Sequence, residues 1–419
     1  IDPSFSKRSA GLYLKMQSVY ERTGHKNVVM ATGTPISNTA AEIWTFMKYL
    51  IPKDTMQEND IYYFDDFVRN FGRISQSLEF TTSGSFKENS RFASYINIPE
   101  LARLWSSVTD TVLTEEAVTG GGQTLNDKIP SMEGGKQQDI FLEQSDSLVD
   151  IMNAVREQLE EFEKLTGKEK KERSYIPLTM YGIAKRAAID PRLVDPTAYD
   201  EPMSKTNQAV VHTLKAFKDS SKYKGTVAIF CDNYQRKANP DAGVSEFNIF
   251  KEIKRKLVEK GIPENQIVIM ESGMSDQKKQ KIFDDMCSGE RRVILGTTQT
   301  LGTGVNIQTR LFTLIHMDAP DRPMDMTQRE GRILRQGNMF KEWGVPVRIL
   351  RFGVKDSLDV TGYQRLQTKS KFINAVMKSK DLINNNQDGR VIEEEEEGLY
   401  DNPVAVLSGS QYAMLKSQA

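Results

Sequence analysis

The amino-acid sequence predicts an α/β protein with three parts: a lobe built on a parallel, doubly wound sheet, a partial α/β region ahead of it, and a mostly helical stretch between them. Three observations carry that prediction. Between about residues 225 and 352, five β-rich runs alternate with helical patterns long enough to serve as crossovers. Near the N-terminus, residues 27–50 read as one strand, one polar turn and one helix. The residues from 53 to 204 are charge-rich and show mainly helical spacing.

In chain order, "NVVMA" is the first predicted strand and "TGTP" (32–35) its turn. The helix that follows has the apolar stripe Ile36, Ala40, Ile43, Met47 and Leu50, with Thr39 and Glu42 spaced as a capping box. The segment resembles one βα unit cut from a larger sheet. The charged stretch "SLVDIMNAVREQLEEFEKLTGKEKKER" (147–173) predicts helix, and the glycine cluster "TGGGQTLNDK" (119–128) a loop. The predicted strands of the main lobe are "TVAIFC" (226–231), "QIVIM" (266–270), "RVILGT" (292–297), "LFTLIHM" (311–317) and "VRILRF" (347–352). Between the first two, Phe247, Phe250, Ile253 and Leu257 form one helical stripe, and "SDQKKQKIFDDMCSG" supplies the next helix. After 375 come a basic amphipathic helix and the acidic run "EEEEEG" (393–398), which predicts a solvated tail. The expected division is therefore 1–52, 53–204, 205–375 and 376–419.

Composition narrows the chemistry. At 419 residues, 38% hydrophobic and 27% charged, the chain implies about two to three globular domains. No run approaches the ~18 apolar residues of a membrane span, and the N-terminal residues lack an apolar signal core, so a cytoplasmic protein with no membrane partner is expected. Cys231 and Cys287, with His25, His212 and His316, offer no metal-ligand spacing and no disulfide framework. The net charge of −1 gives no global attraction to nucleic acid but leaves room for a local basic groove. The first residue is Ile, so a piece of a longer polypeptide or a processed product is expected.

The most informative stretch is "QREGRILRQGN" (328–338). Read as a helix of roughly three turns, it puts Gln328, Arg332 and Arg335 at i, i+4 and i+7, on one face, with Arg329 off that face. Thr327 with Glu330, or Asp325, would cap its start, and Gly337 would end it. A solvated basic face explains these eleven residues alone equally well. Two loops argue otherwise. "TTQTLGTGVN" (297–306) follows a predicted strand and carries Gly302 and Gly304, where a missing Cβ lets backbone N–H groups approach a phosphate. "TGTP" follows the first strand and supplies two hydroxyls around a glycine. Loops after strand ends are where parallel α/β sheets bind ligands.

In this order, "TGTPISN", "LGTGVN" and "QREGRILRQGN" resemble motifs III, V and VI of superfamily-two helicases, and of their Swi/Snf-type translocase branch in particular. "AEIWTFMKYLIP", "GIAKRAAIDPRLVDP" (182–196), "GTVAIFCDNYQ" and "ESGMSDQKKQKIFDDMCSGERRVILGTT" resemble the neighbouring segments of that branch, so the similarity covers about 28–52 and 180–360. The resemblance implies two RecA-like lobes, of which the second is whole, with ATP and Mg²⁺ as cofactors and DNA as partner. It implies that Arg332 and Arg335 reach the ATP phosphates, with Gln328 on the same surface. Thr298, Gly302, Gly304 and Asn306 are implied to contact the DNA backbone and sense the nucleotide, and Thr32, Gly33, Thr34 and Pro35 to couple the two ligands. On this reading Thr298→Ala weakens DNA binding with little effect on stability, and Arg329→Ala costs little catalysis.

No G-x-x-x-x-G-K-[ST] and no Asp-Glu-x-His occurs in the chain, so it is expected not to hydrolyse ATP without a further N-terminal lobe of the same polypeptide. The variant "GRILRQGN" and the ending "FGVKDSLDVTGYQRLQTKSKFINAVMKSKD" (352–381) further resemble phage and mobile-element proteins that join a DNA methylase to such a motor, often grouped with antirestriction factors. Where the Swi/Snf branch has paired arginines, this chain reads "TVLTEEAV" (111–118). Two rival readings remain at this point: a non-catalytic DNA-binding or scaffolding lobe, and an unrelated α/β transferase or kinase using the Gly/Thr loop.

Overall fold

The computed structural model describes residues 7–33, 36, 42–80, 86–112, 124, 126–239, 245–302, 304–355, 357–359, 362–363, 366 and 392–393. The chain divides into two compact units, one holding most of residues 7–111 and the other 112–367.

The first unit contains α1 (Lys7–Thr23), α2 (Glu42–Leu50), α3 (Lys53–Glu58), α4 (Phe64–Phe71), β1 (Gly72–Phe80), β2 (Phe86–Tyr95) and α5 (Ile98–Ser106). Its core gathers the predicted stripe residues Ile36, Ile43 and Met47 with Met56, Phe67, Phe71, Leu101 and Trp105. Ala40 and the Thr39 half of the expected capping box lie outside the described residues, whereas Glu42 opens α2. The expected strand at 27–31 is not formed. Val28 and Met30 pack against the cluster of Met16, Tyr20 and Tyr49, but Val29 is 92% exposed. Among the described residues no strand pairs with this stretch, so no ladder forms there.

The second unit contains β3 (Gln138–Leu142), α6 (Asp146–Lys164), α7 (Gly167–Glu172), α8 (Ile176–Ala187), α9 (Lys205–Asp219), β4 (Thr226–Phe230), β5 (Gln235–Arg236), β6 (Phe247–Asn248), α10 (Ile249–Glu259), β7 (Ile267–Ile269), α11 (Asp276–Ser288), β8 (Val293–Gly296), α12 (Thr298–Leu301), β9 (Leu311–His316), α13 (Pro323–Glu330), α14 (Met339–Glu342) and β10 (Arg348–Val354). All five strands expected of this lobe are present within two residues of their predicted limits. They join β3 in a six-stranded sheet of order β3-β10-β9-β4-β8-β7, every pairing parallel, which is the RecA-like α/β architecture. β4 lies inside the sheet and is buried at every position. Helix α10 buries Ile249, Phe250, Ile253 and Leu257 against this core, at about 1.5–3 kcal/mol for each large apolar side chain.

Two differences from the expected division have a common cause. The paired strands β1 and β2 and the edge strand β3 all lie in the stretch expected to be helical. The sequences "GRISQSLEF" and "FKENSRFASY" are polar and weakly patterned, and "QDIFL" is short, so period-2 alternation barely registers. Because β3 pairs with β10 and α6 packs on α8 and β10 through Leu148, Met152, Val155, Ala184 and Val354, residues 126–204 belong to the sheet lobe rather than to a separate insertion. Most of the glycine cluster 119–128, the helix expected after 375 and most of the acidic run lie outside the described residues; Ile392–Glu393 pair with Tyr95 and Ser94.

Candidate functional site

In a parallel sheet all strands end on one side, and here β4, β8 and β9 end in Asp232, Thr298 and Asp318 within two residues of the last strand position. These three meet one arginine. Arg329 is fully buried; its guanidinium pairs with Asp232 at 2.7 Å and Asp318 at 3.2 Å. It also donates to the Asp318 carbonyl at 2.9 Å and to Thr298 Oγ1 at 2.8 Å. Asp232 in turn accepts from the Thr298 amide at 2.7 Å and hydroxyl at 2.8 Å. Asp318 accepts from the Asp232 and Asn233 amides at 2.8 and 3.1 Å. Burial alone would push the Arg329 guanidinium down and the Asp318 carboxyl up, but their mutual attraction wins, so Arg329 is raised and Asp318 lowered.

His316, also fully buried, fixes the back of this cluster. Its Nδ1 faces an Arg329 nitrogen at 3.4 Å, and since guanidinium can only donate, Nδ1 accepts and the proton sits on Nε2. Nε2 faces Glu330 Oε1 at 3.6 Å, and Gln137 donates to the other Glu330 oxygen at 3.2 Å. Burial lowers the histidine pKa, keeping the ring neutral. Beside it, buried Lys205 pairs with Asp359 at 2.6 Å and donates to the Met317 carbonyl at 3.0 Å.

The structure corrects the expected helix. Helix α13 spans Pro323–Glu330, with Pro323 at its first turn; Arg322 precedes it and no side chain caps it. The Thr327 hydroxyl instead donates back to the Pro323 carbonyl at 3.2 Å, so neither Thr327 nor Asp325 opens the helix. The chain leaves the helix at Gly331 and continues in tight turns to Gly337, which takes φ +80° as expected of a residue past the end. Gln328 is therefore helical, whereas Arg332 and Arg335 lie in the turns after it, not on one helical face. Arg329, expected off the working face, is the buried hub.

Arg332 is half-buried and donates to the carbonyls of Gln328 at 3.2 Å, Gly302 at 2.7 Å and Val305. Burial, then the adjacent Arg335 charge, lowers its pKa. Neither Arg332 nor Arg335 forms an ion pair among the described residues. The loop they border is tightly built. A Cβ at Gly302 would stand 2.3 Å from the Thr298 carbonyl, so only glycine allows that approach, while Gly304 has φ +69°. Asn306 is exposed and its carbonyl accepts from the Cys287 thiol at 3.4 Å. Thr298, expected to face a ligand, has its hydroxyl engaged by Asp232 and Arg329, so removing it would disturb the hub. Thr32 and Gly33 are exposed in the first unit; Thr34 and Pro35 lie outside the described residues. Asp232, Asp318, Lys205 and His316 escaped the sequence reading, although "TVAIFCD" and "LIHMD" each place an aspartate directly after an apolar run, a legible signal for a strand-end carboxylate.

No helix among the described residues is long and apolar enough to cross a membrane. Residues 2–112 match the sequence model of a probable helicase domain, nearly the extent of the first unit, and residues 206–337 match the helicase conserved C-terminal domain. Over 105 residues, 25% of this chain, the sequence is 28% identical to Defense against restriction protein B of Escherichia phage P1, and the match spans 5% of that relative's length. Among solved structures, the C-terminal part of the Fun30 ATPase domain is 11% identical with TM-score 0.38, over 61% of this chain and 99% of that one. The Sulfolobus solfataricus SWI2/SNF2 ATPase C-terminal domain is 14% identical with TM-score 0.38, over 59% and 95%. The Pyrococcus furiosus Hef helicase domain is 12% identical with TM-score 0.34, over 58% and 59%. Both helicase sequence models are matched in chain order with the arginine-bearing turn inside the second, so the chain carries a helicase conserved C-terminal domain over residues 206–337.

Proposed function

We propose that this chain is the arginine-bearing part of an ATP-driven, Swi/Snf-type motor that moves on DNA. One observation supports the reading above others: Arg332 feels the repulsion of Arg335, and neither has a carboxylate partner among the described residues, at the ligand-binding end of a parallel sheet. An anion between them relieves that repulsion. Arg332 uses three of its five N–H donors on carbonyls, leaving two, and Arg335 uses no side-chain donor among the described residues. Bound phosphates would supply the negative charge; Arg335 and the outer edge of Arg332 would hold it, Gln328 would flank it, and Gly302, Gly304 and Asn306 would line the approach. In phosphoryl transfer such guanidiniums contribute about 10³ to 10⁵ in rate. Thr298 acts by fixing the loop, and Thr32, Gly33, Thr34 and Pro35 are proposed to couple nucleotide to DNA.

Among the described residues no three His, Cys, Asp or Glu side chains stand where they could hold a metal, so Mg²⁺ is not assigned to this chain's residues. With no G-x-x-x-x-G-K-[ST] in the sequence, the chain alone is expected to show no DNA-stimulated ATP turnover. The likeness to a protein of defence against restriction supports a second reading, a DNA-binding lobe serving that role without hydrolysis. Titration of the chain with tripolyphosphate separates the two. Arg335→Ala should weaken binding about tenfold, as expected for one charge-assisted contact; an unchanged affinity would discard the phosphate site.

A further inference from the structure

The opposite end of the same sheet, where its strands begin, carries a second cationic surface. The segments entering β4, β8, β9 and β10 bring together Lys222, Tyr223 and Lys224, then Gly289, then Arg310, then Lys341 and Trp343. Tyr223 and Trp343 stack at 4.7 Å over Phe340, which meets them at 5.6 and 5.1 Å. Lys222 Nζ lies 5.4 Å from the Tyr223 ring, and the Arg310 guanidinium lies 5.7 Å from the Trp343 ring while donating to the Tyr223 carbonyl at 2.6 Å. Gly289 lets these approach, since a Cβ there would stand 2.8 Å from Lys224 Cβ and 3.1 Å from Arg310 Cδ. Lys224 holds φ +50°, a left-handed conformation that glycine adopts more cheaply. None of the four cations is in an ion pair among the described residues, although Asp127 senses the Lys341 charge and Glu290 and Glu342 neighbour the patch in sequence.

We propose that this surface is a second contact for the duplex DNA backbone, separate from the carboxyl-end site and resting on the reading that the chain works on DNA. A rigid aromatic floor holds Lys222 and Arg310 in place before binding, so less side-chain freedom is lost when phosphates arrive. A lysine kept at a strained position makes sense if its charge is used. The excess of unpaired cations selects a polyanion, and a salt-dependent, sequence-independent affinity follows.

The test uses the full chain and a fluorescent duplex, measured across a range of salt concentrations. Lys222→Ala, Lys224→Gly and Lys341→Ala combined should weaken binding about tenfold or more and flatten the log–log salt slope by roughly two to three. Lys224→Gly alone should weaken binding without lowering the melting temperature, a split that a purely structural lysine cannot give. If the wild-type chain binds no duplex, the DNA reading itself fails. If it binds and the triple variant binds equally well, only this second contact fails. Tighter binding of poly-glutamate than of duplex at equal salt would overturn the proposal in favour of an acidic protein segment.

Discussion

Arg329 and Arg332 leave the same stretch of chain three residues apart, yet the fold treats them in opposite ways. Arg329 is sealed in with two carboxylates and a hydroxyl, and every nitrogen of its guanidinium has a partner. Arg332 meets only carbonyls and has a second arginine as neighbour. The two also grip opposite ends of one loop: Arg329 holds Thr298, and Arg332 holds Gly302 and Val305. A fully compensated charge holds the fold together, whereas an uncompensated one keeps the capacity to pair with an anion. Absence of a carboxylate alone does not make a site, as Arg292 shows. It is buried over the Phe217 ring and donates to the Gly225 and Phe217 carbonyls and to Ser220, and burial lowers its pKa to about 10. Unlike Arg332, Arg292 feels no neighbouring cation among the described residues with which to share an anion.

The comparison is broken most severely at Arg329. Arg329→Ala leaves Asp318 ionised and buried without its partner, and such losses cost about 3–5 kcal/mol. Denaturant unfolding of the chain should show that deficit, and a cost below about 1 kcal/mol would mean that the hub contributes little to folding. Thr298→Ala should follow at about 1–3 kcal/mol, because Arg329 Nε and Asp232 each lose a partner. Thr298→Ser, which keeps the hydroxyl, should recover most of it; equal losses for the two variants would point to the methyl group instead.

Why one arginine was legible and the other not follows from what a sequence displays. The five strands of the main lobe are written in continuous apolar runs, and the glycines of the 298–306 loop in their own chemistry. Arg332 and Arg335 stand out through spacing. Arg329 does not, because its role depends on two aspartates 97 and 11 residues away that only the sheet brings together. The helix ended early for a similar reason. Gly331 and the turns to Gly337 end the helix despite a good i, i+4, i+7 pattern, because in the fold Arg332 is drawn to loop carbonyls that no local pattern reveals. β3 was missed because an edge strand of five residues owes its existence to β10.

A smaller effect tests the hub through pH. His316 has a folded-state pKa below its ordinary 6.5, so below that value the unfolded chain binds a proton that the folded chain refuses. Stability is full above pH 6.5 and falls as pH drops toward the folded pKa, by at most about 1.4 kcal/mol per pH unit for one proton. His212, half-buried and also lowered, adds in the same direction. His316→Asn keeps an acceptor for Arg329 and removes the titration, so its unfolding free energy should lose less between pH 6.5 and 5 than the wild type's. Parallel curves for the two proteins would place the acid sensitivity at His212 or elsewhere.

The smallest effect separates the two uncompensated arginines from each other. Arg332→Ala releases the Gly302 and Val305 carbonyls and loosens the loop, at a cost of about 0.5–1.5 kcal/mol for the net hydrogen bonding lost. Arg335→Ala removes no side-chain hydrogen bond or ion pair among the described residues and takes away a like charge from Arg332. Its effect on stability should therefore lie within about 0.5 kcal/mol of zero, with a gain more natural than a loss. High salt should erase whatever gain there is, since screening already weakens the repulsion between the pair. Unfolding of both variants at low and high ionic strength reads this directly. If Arg335→Ala destabilised the chain as much as Arg332→Ala, Arg335 would have a structural partner of its own, and the anion site proposed for the pair would fail.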